Sequence, residues 1–210
     1  MTITDLSQRG TALVFTLLLA VANSDRVQAQ PAATGPPDWP CVQRLIPEIA
    51  WGTLWTGPSP ETLTQDWWDD DEIGSVVRFA TSSDTTVEDA VARVRAFMER
   101  ESPDERRLTL LFSGLLEQIN DERSRTIAGI RSASRAQVSR LERIADIIDE
   151  LEIKRTNDAD QATIANLRKT LHWERRTFEM RQQILPALCE QPYLLEERLA
   201  RMIREIDAAR

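Results

Sequence analysis

Histidine is almost missing from this chain: His172 stands alone among 210 residues, cysteine occurs twice, at Cys41 and Cys189, and the seven glycines are scattered. A single histidine excludes the His-rich zinc sites, and no H-E-x-x-H segment occurs. A Ser-His-Asp arrangement would have to use His172, yet no G-x-S-x-G turn is present to raise a serine. Scattered glycines leave no phosphate-cradling loop, and the two distant cysteines form neither C-x-x-C nor the haem-type C-x-x-C-H. Long apolar runs are missing too. The one run present, TALVFTLLLAVA over residues 11–22, is about a dozen residues against the ~20 that a membrane-spanning helix needs. Excess positive charge is also absent. With 26 Lys and Arg against 34 Asp and Glu, net −8, the chain is unsuited to general nucleic-acid binding, which rests on neutralising phosphates.

What flanks the short apolar run sets the compartment. MTITDLSQRG places Arg9 and the amino terminus before it, and NSDRVQA after it ends in Val27-Gln28-Ala29, with small residues where a signal peptidase cuts. The pattern predicts a cleaved leader over residues 1–29, a mature chain starting near Gln30, and a periplasmic or secreted location. Cleavage removes Arg9, Arg26, Asp5 and Asp25, so the mature net charge stays at −8. In an oxidising compartment two lone cysteines pair. A Cys41–Cys189 bridge closes a loop of nearly 150 residues, for which the chain-entropy model gives about 4–5 kcal/mol.

The second part of the chain, residues 85–210, reads as helical. Thr85 or Thr86 caps a segment whose Val87, Ala90, Val91, Val94, Phe97 and Met98 share one stripe, predicting a helix over about 86–101. Ser102-Pro103-Asp104-Glu105 is a start signal, and no proline follows until Pro186. A helix over about 103–155 follows, too long for an ordinary globular helix. The break Thr156-Asn157-Asp158 predicts reversal into a second arm over about 158–189, with apolar spacings of three, four and seven that mark a coiled-coil seam. Pro186 and Pro192 separate that arm from a last helix over about 193–209. Folding back at residue 157 sets position i opposite roughly 314 minus i. Three apolar stripes then converge at one end. The expected fold is all-α: a small three-helix body, a long antiparallel coiled-coil hairpin over residues 125–188, and an extended N-terminal strap held by the disulfide.

Residues 30–84 are that strap and an acidic segment. DWPCVQRLIPEIAWGTLWTGP, residues 38–58, holds three of the six tryptophans, and its prolines favour an extended course over a surface. Its apolar side chains suit a cover over the helical core; the alternative reading leaves part of the patch, Trp51 and Trp55, open to a partner protein, peptide or carbohydrate. DWWDDDEI, residues 66–73, carries five carboxylates but lacks the alternating ligand pattern of an EF-hand, and reads as a solvated acidic turn or helix start. The hairpin has the opposite charge. Arg123, Arg125, Arg131, Arg135, Arg140 and Arg143 face only Glu142 over 21 residues. Arg123, Arg131 and Arg135 are therefore candidates for docking an acidic partner. The seam there is weak, with Ala133, Ser134 and Gln137 in place of larger apolar residues.

These features point to a non-catalytic exported interaction or scaffold protein, with no cofactor, no metal and no membrane span after leader cleavage. It would present its hairpin to a protein partner or to a second copy of itself. The alternatives are a holdase-type chaperone, and a cation- or glycan-binding module built on the 66–72 acids and the tryptophans. In shape the helical part, roughly residues 86–209, resembles secreted helical-hairpin proteins such as periplasmic chaperones and adaptor hairpins. That resemblance leaves the tryptophan strap unexplained.

Overall fold

The computed structural model describes residues 35–157 and 160–209. The expected leader, residues 1–29, and Asp158 of the predicted reversal lie outside them. Three short 3-10 turns, Trp51–Thr53, Pro60–Thr62 and Trp67–Asp69, precede four helices: α1 Asp71–Thr81, α2 Val87–Glu101, α3 Glu105–Thr156 and α4 Gln161–Ala208. Among the described residues there is no strand, and no helix is long and apolar enough to cross a membrane.

Each helix begins on a side-chain cap. Asp70, Thr86, Asp104 and Asp160 accept from the backbone N–H three residues on, satisfying donors that the first turn leaves open. Ser102 does not cap α3 as the sequence suggests. It ends α2 in the left-handed region at φ 42°, donating its N–H to the Met98 carbonyl, and Asp104 takes over the start of α3.

α3 and α4 run antiparallel, and the fold-back arithmetic holds. Arg123 meets Pro192, Gln137 meets Phe178 and Arg140 meets Glu174, pairs that sum to 314 or 315. The core collects where the start of α3 and the end of α4 meet α1 and α2, around Phe97, Leu111, Phe112, Leu115, Leu199 and Met202. Trp55 lies flat on Phe112, ring centroids 4.6 Å apart. Gly114 lets α3 approach closely, since a Cβ there would stand 2.8 Å from Trp67 Cγ and Val77 Cγ2.

Two features differ from the sequence expectation. The body has four helices and not three, because α1 forms within residues 30–84, where the acids read as a solvated turn or a helix start do start a helix at Asp71. Ile73, Val76, Val77 and Ala80 fall on one stripe and are buried in the core. The predicted helices 158–189 and 193–209 are also one helix, with Pro186 and Pro192 inside α4. An internal proline removes one backbone bond and costs about 3 kcal/mol in an isolated helix. Here the helix is held on both sides of the prolines, by the pairing with α3 and by the disulfide at Cys189.

Trp55 is 4% exposed and stacks in the core. Trp55→Ala should lower the unfolding free energy by about 3–5 kcal/mol, the range for aromatic truncation in a core, in urea denaturation followed by circular dichroism. A loss under about 1 kcal/mol would show that the strap adds little to the body.

Candidate functional site

The strap meets the two long helices at a junction built from the predicted cysteine pair. Cys41 and Cys189 are bonded, closing a sequence separation of 148. Around the bridge Trp39, Ile127 and Ile130 are buried, with Leu45 and Leu188 packed on them. Trp39 Nε1 donates to the Gln43 carbonyl, which turns the indole inward. Asp38 anchors the start of the strap. Arg131 Nε donates to both of its oxygens at 3.0 Å, and Arg135 Nη1 donates at 2.5 Å. The Arg131 hydrogen bond chiefly holds the Asp38 carboxyl below its ordinary value, outweighing the opposing effect of desolvation.

Further along, the strap is pinned through its backbone. Arg123 Nε and Nη2 donate to the Ile46 carbonyl at 3.2 and 3.0 Å, and Nη1 donates to the Pro192 carbonyl at 2.6 Å. The side-chain amide of Asn120 donates to the Ile49 carbonyl and accepts from the Ile49 N–H. The strap thus descends α3 from Arg135 to Phe112 with a bond at each step. Over it a cleft of about 190 Å³ opens between Trp39, Arg123 and Tyr193, below the ~300–1,000 Å³ of ordinary small-molecule sites.

Two of the proposed interaction residues are therefore structural. Arg123 is 5% exposed and Trp55 is in the core, so neither belongs to an open surface. Burial lowers the Arg123 pKa, and the carbonyls around it compensate the cation. Trp51 is half-buried against the core. Arg131 and Arg135 remain partly exposed, but both are occupied by Asp38. Charge composition locates basic residues on a helix without revealing that a strap lies across one side of it.

The acidic segment is likewise engaged. Asp70 caps α1 and accepts from Arg107, and Glu72 accepts from the same guanidinium. Desolvation pushes the Asp70 carboxyl up, but the Arg107 and Ile73 hydrogen bonds outweigh it and leave the group below its ordinary value. Among the described residues no three His, Cys, Asp or Glu side chains are grouped as a metal site.

The distal hairpin contrasts with this packed junction. Its middle is polar: Arg140 pairs with Glu174, and Gln137 Nε2 donates to the Phe178 carbonyl, while Gln137 Oε1 and Arg140 Nε are buried without partners. Among the described residues from 131 to 188, Ile144 and Ile164 are the buried apolar side chains. Val138, Leu141 and Ile148 on α3 are exposed, as are Trp173, Met180 and Ile184 on α4. The sequence reading placed the weak seam correctly at Ala133, Ser134 and Gln137 but nominated none of these exposed residues. Trp173 follows seam residue Leu171 by two positions, and that offset was the available signal.

This arrangement defines an all-α protein in which a disulfide-held strap and a four-helix body support a two-helix arm. No protein-family model, no curated protein and no solved structure matches the chain.

The junction yields two expected outcomes. Cys41→Ser combined with Cys189→Ser should lower the unfolding free energy by about 4–5 kcal/mol in the chain-entropy account, measured by chemical denaturation with the oxidised chain as reference. An unchanged midpoint would place the stability of the strap in its hydrogen bonds alone. The lowered folded-state pKa of Asp38 makes its contribution complete above its ordinary value of 3.8 and lost as pH falls through the folded value. Tryptophan fluorescence in an acid titration should show a component below pH 3.8 that Asp38→Asn removes.

Proposed function

We propose that this chain is a non-catalytic, exported helical scaffold that presents its hairpin, an antiparallel coiled coil, to a protein partner or to a second copy of itself. One observation carries the reading: the body and strap bury a continuous apolar core, while residues 131 to 188 bury only Ile144 and Ile164 among the described apolar side chains and leave Val138, Leu141, Ile148, Trp173, Met180 and Ile184 exposed. Monomeric proteins expose few contiguous apolar patches, and those they do expose mark interaction sites. The Cys41–Cys189 bridge supports an oxidising compartment, and with the leader pattern it supports a periplasmic or secreted location. The engagement of Asp70 and Glu72 by Arg107 weighs against the cation-binding alternative. The buried Trp55 weighs in the same way against a glycan platform.

The exposed hairpin row also suits a holdase, which would bind unfolded clients through the same side chains. Suppression of aggregation of a reduced model substrate at near-stoichiometric ratio distinguishes the two, since a dedicated scaffold leaves aggregation unchanged. Mass spectrometry of the exported chain should find its amino terminus near Gln30 and no free thiol. Light scattering after size exclusion, with capture from a periplasmic extract, should reveal self-association or a specific partner that is lost on Trp173→Ala with Ile184→Ala. A strict monomer that captures nothing would overturn the reading.

A further inference from the structure

The distal arms carry two surfaces of opposite charge. On α4, Arg168, Lys169, Arg175, Arg176 and Arg181 are exposed and form no ion pair with any described residue. Among them lie Trp173 and Met180, with Ile184 one turn on, 59%, 45% and 56% exposed. Their spacings of seven and four residues put all three on one stripe of the helix, flanked by Lys169, Arg176 and Arg181, while Arg168 and Arg175 stand on the other side. On α3, Glu142, Asp146, Asp149 and Glu150 are exposed and equally without an ion pair among the described residues. Leu141 and Ile148, both exposed and seven residues apart, share one stripe, with Glu142 and Asp149 beside it as the next residue after each.

Intramolecular contacts do not use these charges. The acids of α3 lie opposite the stretch of α4 that begins the basic run, yet the ion pairs across the hairpin are those of Arg140 and Arg143 with Glu174. Within α4, Glu179 pairs with neither Arg175 nor Arg176, although both stand within one turn of it. An acidic-apolar face and a basic-apolar face are therefore displayed by the same molecule, and each has the composition the other would bind.

We propose that the hairpin docks on a second copy of this chain, the acidic-apolar face of α3 in one copy against the basic-apolar face of α4 in the next. This rests on the reading of the chain as a presenter of its hairpin and names the partner. Two different patches are joined, so the contact is heterologous and leaves one patch of each kind free on a dimer, to be extended or closed into a ring. The apolar residues span residues 141–148 on α3 and 173–184 on α4, roughly 10 and 16 Å at 1.5 Å per residue. An overlap this short falls at the low end of interface sizes, below about 1,200 Å². Association is accordingly weak, reversible and weakened by salt.

The test uses the mature, disulfide-intact chain in sedimentation velocity across a wide concentration range, at low and high salt. Two variants reverse one face each: Lys169→Glu with Arg176→Glu, and Glu142→Lys with Asp149→Lys. The wild type should gain mass with concentration at low salt and lose that gain at high salt. Each variant alone should associate at least tenfold more weakly, and an equimolar mixture of the two should associate again, because each supplies the face the other needs. Circular dichroism confirms that each is folded, and Lys169→Gln with Arg176→Gln replaces a reversal that unfolds the arm. A wild type that is monomeric throughout, variants that associate as the wild type does, or a mixture that fails to recover would each overturn the proposal. A monomeric wild type that captures a foreign protein, with capture lost in Lys169→Glu/Arg176→Glu, overturns self-docking and leaves the scaffold reading standing. Binding of the monomer to anionic phospholipid vesicles, lost in the same variant, overturns it in favour of a membrane surface.

Discussion

A guanidinium cannot be left bare in an apolar layer, and the burial of Arg123 governs how the segments of this molecule are arranged. Removing a cation from water costs several kcal/mol unless its donors find acceptors. The acceptors here are carbonyls from two distant parts of the chain, Ile46 in the strap and Pro192 in α4. Satisfying one side chain of α3 thus requires the strap and the far end of the chain to be present at one level. Glu196, 3.7 Å away and partly exposed, adds a distant countercharge. The disulfide lies beside this level, and Asn120 holds Ile49 one turn along α3, so the strap is held on both sides of the buried cation.

Arg198 repeats the device at the other end of the body. Its guanidinium donates to the carbonyls of Ala80, Ser82 and Thr85, closing the end of α1 and the link to α2 onto α4. Burial lowers its pKa as it does that of Arg123. Both arginines donate to backbone carbonyls, and those of Arg198 lie at the C-terminus of α1, where the helix dipole also favours a cation. The apolar core lies in the body, and beyond Ile130 the described residues of the arm bury only Ile144 and Ile164 among apolar side chains. A polar layer of Gln137, Arg140 and Glu174 joins the two helices there. Unpaired charge and exposed apolar area lie on the outer sides of that arm.

Much of this order was legible from residue patterns. The all-α class followed from apolar spacing, the reversal near residue 157 from Thr156-Asn157-Asp158, and the cysteine pair from its being the sole one available. The α3–α4 register followed from length alone and matches Arg140 with Glu174. α1 was also readable in its cap and in Ile73, Val76, Val77 and Ala80. The run of acids before it suggested a solvated turn, and Gly74 with two adjacent valines lowers helix propensity. Pro186 and Pro192 were read as breaks because local propensity favours breaks, and packing of α4 along α3 overrode it.

The sequence by itself determined the helical class, α2, α3 and the pairing of the two long arms, because those depend on periodicity, caps and turn residues that act over a few positions, whereas the continuity of α4 through Pro186 and Pro192 came from packing. Only the tertiary structure decided which arginines are structural and which are open. Arg123 and Arg175 are alike in sequence, but one lies beneath a strap that arrives from 77 residues away and the other faces outward with no described partner. Burial is a property of what else occupies the same space, and the strap's path is set by long-range bonds to α3 and α4 that no local pattern encodes. The same reason moved the exposed tryptophan from the strap, where Trp55 is covered by Phe112, to Trp173 on the hairpin.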